Sequence, residues 1–404
     1  MMRAFATSIT MEVALDNGGC LLNIYYHIDF TDGSQLDNRL KVIYPVSVKE
    51  SIDLYLVQNY LTIFLSQMFL MQGKIKLFCC ESDISNYADI IKSLYAIRNY
   101  QEGASIQVPE LEMVFYCNNI IATSAQQPRV LNLVSGGKDS LVSDILLEKN
   151  GAYIKRCFFS GLNIESTTQE KDACVYLYDY FDEIEIIGFH IFINKLVTLS
   201  SCYGNPPANN SIPKGRDLLT IIFAYPLAAY YGCEYISHSC EKDLWEKVII
   251  KDCIEIPVHD SQCKLVMVPM SEQLYRSTGI RMFSPIAGMH EIYLLTWLMI
   301  HKPSSIQKMQ SCFYGRWCGK CTKCLRYYLI QKYAGVDIIK FENNPEQQMN
   351  LLVENLNKLN ANETVGFYEE LKFLTGFYEY EKELFAPTYC SLFPSFFERW
   401  SLND

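Results

Sequence analysis

From Val130 onward, short apolar runs alternate with longer mixed stretches. "VLNLVS" ends in glycines and leads into a helical pattern through Leu147; "IKRCFFSG" is a second apolar run, followed by the helical "QEKDACVYLYDYF". "EIEIIGF" is the third run, a long helical stretch covers about Gly215 to Tyr231, and "CEYISHS" is the fourth. Short continuous apolar runs bounded by turn residues suit strands buried on both faces. Their alternation with helices predicts right-handed crossovers and a parallel sheet with helices on both faces. The first 125 residues read differently. "CLLNIYYHIDFTDGSQ" alternates apolar and polar positions around Thr31-Asp32-Gly33-Ser34, which predicts a β-hairpin. A helix from Val48, a strand "KIKLFCC" ending at Cys80 and a helix starting near Asp83 complete a small α+β unit. The expected fold class is therefore α/β: an N-terminal α+β domain over 1–125, a parallel-sheet domain over 126–332 and a helical C-terminal extension over 333–404.

Composition narrows the chemistry. A chain of 404 residues exceeds one ordinary core, which agrees with several domains. The net charge of −10 argues against coating a phosphate backbone, so a nucleic-acid partner is not expected. The most apolar span, 55–71, carries Gln58, Asn59 and Gln67 and is shorter than a bilayer helix, so it predicts a buried helix and no membrane partner. The N-terminus lacks a charged-then-apolar export pattern, and a cytoplasmic location is expected. In that setting the sixteen cysteines are reduced thiols or metal ligands.

One loop carries phosphate chemistry. In "LNLVSGGKDSLVSDILL" Asn132 stands where a Walker loop needs its first glycine, and Asp139 follows Lys138 where that loop needs Ser or Thr. Gly136 and Gly137 can still turn successive backbone N–H groups toward one anion. Ser140 opens a helix whose positive end points the same way. Ser135 and Ser140 add hydroxyl donors, Lys138 a cation, and Asp139 a magnesium ligand or a helix-start carboxylate. The other pronounced signal is "CFYGRWCGKCTKC". Its Cys312, Cys318, Cys321 and Cys324 suit a closed tetrahedral zinc site, with an iron–sulfur cluster as the alternative.

Ser135-Gly136-Gly137-Lys138-Asp139-Ser140 resembles the Ser-Gly-Gly-X-Asp-Ser signature of the PP-loop ATP pyrophosphatases. The order of this loop and the cysteines is similar to that of the 7-cyano-7-deazaguanine synthases, the QueC-like family. "IPKGRDLL" at 212–219, "SCEKD" ending at Asp243, Lys251-Asp252-Cys253 and Ser284-Pro285-Ile286 echo that family's further motifs. The resemblance spans roughly residues 129 to 332 and implies an adenine-nucleotide-hydrolase fold. It also implies cleavage of ATP between the α and β phosphates, with adenylation of a carboxylate. The phosphates would lie on Val134, Ser135, Gly136, Gly137, Lys138, Asp139, Ser140 and Leu141, and Gly161 with Asn163 near the adenine or ribose. Lys138, Asp139, Ser140, Arg216 and Asp243 are the implied catalytic residues. ATP, Mg²⁺ and a structural Zn²⁺ are the implied cofactors.

Departures from the family point to the acceptor. Arg216 is displaced by one residue from the family's Arg-Asn stretch, and His290 and Glu291 stand near the family's lysine. The first 125 residues have no counterpart in the compact biosynthetic enzymes. QueC-like relatives with added segments occur in antiphage defence. The resemblance thus implies a ligase passing 7-carboxy-7-deazaguanine to an amine of a partner protein, its N-terminus above all. The alternatives are the ordinary nitrile synthase using ammonia, a tRNA-modifying enzyme of the same superfamily (with Cys240 or Cys253 as sulfur carrier) and a nucleotide-sensing pseudoenzyme. A homo-oligomer is a further option. His238 reads as a core histidine, and Asp243 and Asp252 read equally as helix caps.

Overall fold

Leu22, Ile24, Tyr26, Ile28 and Phe30 are buried while the residues between them are more exposed, the period-two pattern of a sheet covered on one face. The computed structural model describes residues 3–16, 18–102, 105–115, 127–161, 183–189, 215–245, 248–251, 254–257, 262–309 and 317–346, with residues 177, 181, 199, 202 and 311. In it β1 (Ala6–Leu15), β2 (Leu21–Phe30) and β3 (Gln35–Ile43) form an antiparallel meander. The expected hairpin turn is present: the Ser34 N–H donates to Asp32 Oδ1 at 3.0 Å, and Gly33 takes φ +82, where a side chain would be strained.

The meander does not stand apart, and here the expected fold class is wrong. Val42 and Ile43 of β3 pair antiparallel with Phe189 and Gly188 of β8 (Glu185–Phe189). The result, among the described residues, is one mixed sheet of eight strands, ordered β1-β2-β3-β8-β7-β6-β9-β12. It includes β6 (Arg129–Leu133), β7 (Tyr153–Ser160), β9 (Tyr235–Ser237) and β12 (Arg281–Phe283). The strands from β8 to β12 pair in parallel, but the wholly parallel adenine-nucleotide-hydrolase sheet beside an independent α+β domain is not what forms. Alternation in a hairpin says which face is buried. It does not say which distant strand will satisfy the free N–H and C=O groups along its edge.

Two layers of helices cover the inner strands. Leu131, Cys157, Ile236 and Met282 point into one hydrophobic cluster, and their neighbours Val130, Phe158 and Phe283 into a second. The first cluster takes in α1 (Leu54–Met68), α4 (Arg216–Tyr230) and α6 (Lys264–Thr278), together with α2 (Ile84–Glu102). The second takes in α3 (Lys138–Lys149), α7 (Glu291–His301) and α9 (Thr322–Tyr333). Between them in the chain lie α5 (Lys242–Trp245) and α8 (Pro303–Lys308). Two small ladders stand outside the large sheet: β4 (Lys74–Cys79) with β5 (Glu110–Phe115), and β10 (Val248–Lys251) with β11 (Ile254–Pro257).

The apolar span at 55–71 is α1, which starts later than Val48 because the Asp53 side chain accepts from the N–H groups of Tyr55 and Leu56. Its polar residues have partners: Asn59 Oδ1 accepts from the Phe78 N–H at 2.8 Å, and Tyr60 donates to Gln273 Oε1 at 2.9 Å. No helix among the described residues is long and apolar enough to cross a membrane. Apart from Leu177 and Phe181, the helix expected over 169–181 lies outside the described residues, as does most of the expected C-terminal extension.

Below the glycine loop, Asn132 fills a structural place. Its amide donates to Asp144 Oδ1 at 2.9 Å, while Arg156 holds the two oxygens of the same carboxylate at 2.9 Å each. This fork joins β6, α3 and β7 with Asp144 almost fully buried. Asp144→Ala takes from the Asn132 amide its carboxylate partner and leaves Arg156 with Glu148 as its remaining carboxylate, and a loss of about 3 kcal/mol is expected from removing one partner of a buried pair. Urea unfolding with an unchanged slope should read it; a loss below about 1 kcal/mol would mean the fork is not what seats α3.

Candidate functional site

The loop after β6 continues the sheet for one residue, since the buried Val134 donates its N–H to the Cys157 carbonyl at 2.9 Å. Gly136 then takes φ +76, the left-handed turn that glycine adopts without strain. Gly137 caps α3 in an extended conformation and offers no side chain to the first-turn N–H groups. The Ser135 N–H donates to Ser140 Oγ at 3.2 Å, Ser140 Oγ donates to the Gly137 carbonyl at 3.2 Å, and the two serine oxygens lie 3.4 Å apart. Leu141 anchors the helix in the apolar layer beneath. Backbone donors, two hydroxyls and the positive end of a helix therefore converge at the end of β6.

Lys138 does not reach into open solvent. Its ammonium lies 2.7 Å from Asp139 Oδ1, 2.8 Å from Glu241 Oε2 and 3.0 Å from Glu291 Oε1. Burial works against the charge, but Asp139, Glu241 and Glu291 outweigh it and hold Lys138 well above the ordinary lysine range. Burial and then the negative neighbour Asp139 push Glu241 well above the usual carboxylate range, against the pull of Lys138. Three carboxyl groups crowd one ammonium, and Glu241 is driven toward a proton. Asp139 is the most open of the three, its side chain 32% exposed against 7% and 4% for Glu241 and Glu291. The second oxygen of Glu291 pairs with the Arg326 guanidinium.

The remaining residues expected at the site have mixed surroundings. Asp243 is buried, with Oδ1 2.7 Å from His290 Nδ1 and Oδ2 accepting the Glu291 N–H at 2.8 Å, which is a helix-capping arrangement at the start of α7. Arg216 opens α4 with Nη2 3.4 Å from Asp217 Oδ1, and Asp217 lies 3.7 Å from His238 Nε2. His238 is buried at the end of β9 with Nδ1 3.0 Å from Cys240 Sγ. Burial first, then Asp217 and Glu241, pushes the Cys240 thiol well above its ordinary range. Gly161 has φ +79, and a Cβ there would strike the Phe189 carbonyl, so its glycine is required for packing against β8. Asn163, Asp252, Cys253 and Cys312 lie outside the described residues.

Sequence reasoning passed over Glu241 and Arg326. Glu241 lay inside the quoted "SCEKD", one residue before Lys242, and a carboxylate just past a strand end beside a lysine-bearing loop was the available signal. For Arg326 no signal existed, because its partner is 35 residues away.

Cys318, Cys321 and Cys324 form a buried cluster whose sulfurs all lie within 4.8 Å of one another. Trp317 precedes them in the left-handed region, and Gly319 at φ +73 sits where a Cβ would meet the Asn343 carbonyl. The Lys320 N–H points to Cys318 Sγ and the Cys324 N–H to Cys321 Sγ, each at 3.4 Å, so backbone donors already face the sulfurs as they do for thiolates. Sulfurs placed tetrahedrally at about 2.3 Å from zinc stand about 3.8 Å apart. Cys318 and Cys324 are 3.9 Å apart. The cluster could hold a metal such as zinc, and Cys321, as the cap residue of α9, ties it to that helix.

Residues 270–386 match a family of unknown function (DUF6395). The match takes in Glu291, the cysteines and Arg326 and begins well after the glycine loop. No curated protein matches the chain.

Metal analysis of the purified protein should find about one zinc per chain. Cys321→Ser should lose that metal together with solubility, because the cluster holds the start of α9. A preparation without zinc, or one with a visible iron–sulfur charge-transfer band, would contradict the assignment.

Proposed function

We propose that the chain is an ATP-dependent, AMP-forming carbon–nitrogen ligase that adenylates 7-carboxy-7-deazaguanine and passes it to an amine of a partner protein. The observation that carries the reading is the glycine loop at the end of β6. Its left-handed Gly136, uncapped helix start and paired serine hydroxyls suit a diphosphate leaving group. Val134 to Leu141 would hold the phosphates. Asp139, the exposed member of the carboxylate group, would hold Mg²⁺. With Glu241 pushed toward its proton, Asp139 and Glu291 already balance Lys138 and Arg326, so a polyphosphate enters with a metal ion that offsets its own charge. Arg216, half-buried at the start of α4, would take the substrate carboxylate or the α-phosphate, since a planar guanidinium matches either. Asp243 would act through the backbone of α7. The cysteine cluster with Cys312 would supply a closed structural zinc.

The deazaguanine substrate rests on the sequence resemblance in the loop and the cysteine run. The acceptor rests on two features. The net charge of −10 disfavours RNA, and the compact biosynthetic enzymes of the family it resembles have no counterpart to the first 125 residues, which here complete the large sheet. At neutral pH an α-amino group is unprotonated far more often than a lysine, so a partner's N-terminus is the better nucleophile.

With ATP, Mg²⁺ and 7-carboxy-7-deazaguanine, the expected products are AMP and pyrophosphate. Ser140→Ala should slow their release about 100-fold, the scale of one lost donor to developing charge. Chromatography showing ADP and phosphate instead would overturn the reading. Free nitrile accumulating from ammonia beside an unmodified partner would return the chain to the ordinary synthase reaction.

A further inference from the structure

Glu291 divides its two oxygens. Oε1 lies 3.0 Å from Lys138 in the glycine loop, and Oε2 pairs with Arg326 on α9. Its own position is fixed, because it is the first residue of α7 and its N–H is held by Asp243 at 2.8 Å. Arg326 follows Cys324 by two residues, on the helix that Cys321 caps and whose buried Cys324 completes the sulfur cluster. One carboxylate thus connects the helix held by the cysteines to the lysine of the loop. The neighbouring Tyr327 adds to the same contact region, its hydroxyl 3.0 Å from Ser311 Oγ.

The charges give this connection a direction. In these ion pairs three carboxyl groups (Asp139, Glu241 and Glu291), of which Glu241 is pushed toward its proton, face two cations (Lys138 and Arg326). Glu291 is buried, so its charge needs compensation in place. Arg326 supplies part of it and leaves Lys138 less strongly held. Without Arg326 more of the demand of Glu291 falls on Lys138, which draws the ammonium inward and away from an anion at the loop. We propose that Arg326 is a positioning residue: by sharing Glu291 it sets how Lys138 is held, and so makes the phosphate-binding loop depend on the metal-loaded cysteine cluster. The phosphate-binding part of this inference rests on the proposed function; the coupling between cluster and loop does not.

The test uses the full chain in three forms: wild type, Arg326→Met and Arg326→Lys. Zinc content is measured first and is expected to be unchanged, which separates an effect of the guanidinium from loss of the fold. The KM for ATP should rise about tenfold in Arg326→Met with kcat within about twofold, the scale of one charge-assisted contact, and recover largely in Arg326→Lys. Hydrogen exchange at residues 135–141 is read in parallel. Arg326→Met should exchange faster than wild type there, and removing zinc with a chelator should accelerate wild type but add little to the variant. Wild-type protection of the loop in Arg326→Met, or a loop indifferent to chelation, would overturn the coupling. A wild type that binds no ATP while its loop still responds to chelation would sink the proposed function and leave the coupling standing.

Discussion

An ammonium enclosed by three carboxylates is a demanding thing to bury. Each ion costs several kcal/mol to desolvate, and the arrangement is favourable only when all partners arrive together. Lys138 comes from the first turn of α3, Glu241 from the segment after β9, Glu291 from the start of α7 and Arg326 from α9. Their meeting fixes four segments of chain around one point beyond the carboxyl ends of the interior strands β6 and β9. The Asp144 fork with Arg156 and Asn132 performs a similar service one layer below, holding α3 against β6 and β7. The loop between these two sets of polar contacts has its glycine turn and its helix start set by the surrounding structure. Preorganisation of that kind is what an anion site needs.

The cluster also shapes what the site can do. Positive potential from the start of α3 meets negative potential from the carboxylates within a few ångströms. A bare anion gains from the first and loses to the second. A metal-bound anion gains from both, which is why the carboxylates favour a metal–nucleotide complex over free nucleotide.

Much of the local structure was legible in the chain. Period-two alternation located β2 and the Asp32-Gly33 turn, the glycine pair located the start of α3, and the stretch after Gly215 gave α4 nearly to the residue. The cysteine spacing led to the sulfur cluster, with Cys312 outside the described residues. What sequence could not reveal was pairing across distance. The edge of β3 meets β8 nearly 150 residues later, and nothing in either strand names the other. That single pairing turned an expected parallel sheet with a separate N-terminal unit into one mixed sheet. The same limit applies to the ions. A lysine after two glycines suggests phosphate, but two of its three carboxylate partners lie 103 and 153 residues away. Asp243, expected beside substrate, holds a helix start, a role set by where α7 begins.

Calorimetric titration with a non-hydrolysable ATP analogue, in the presence and absence of Mg²⁺, reads whether the loop after β6 is an anion cradle ringed by carboxyl groups. Binding with Mg²⁺ should weaken at least about tenfold when the metal is withheld, the scale of an uncompensated like-charge contact. Equal affinity with and without Mg²⁺, or no heat of binding in either case, would contradict it.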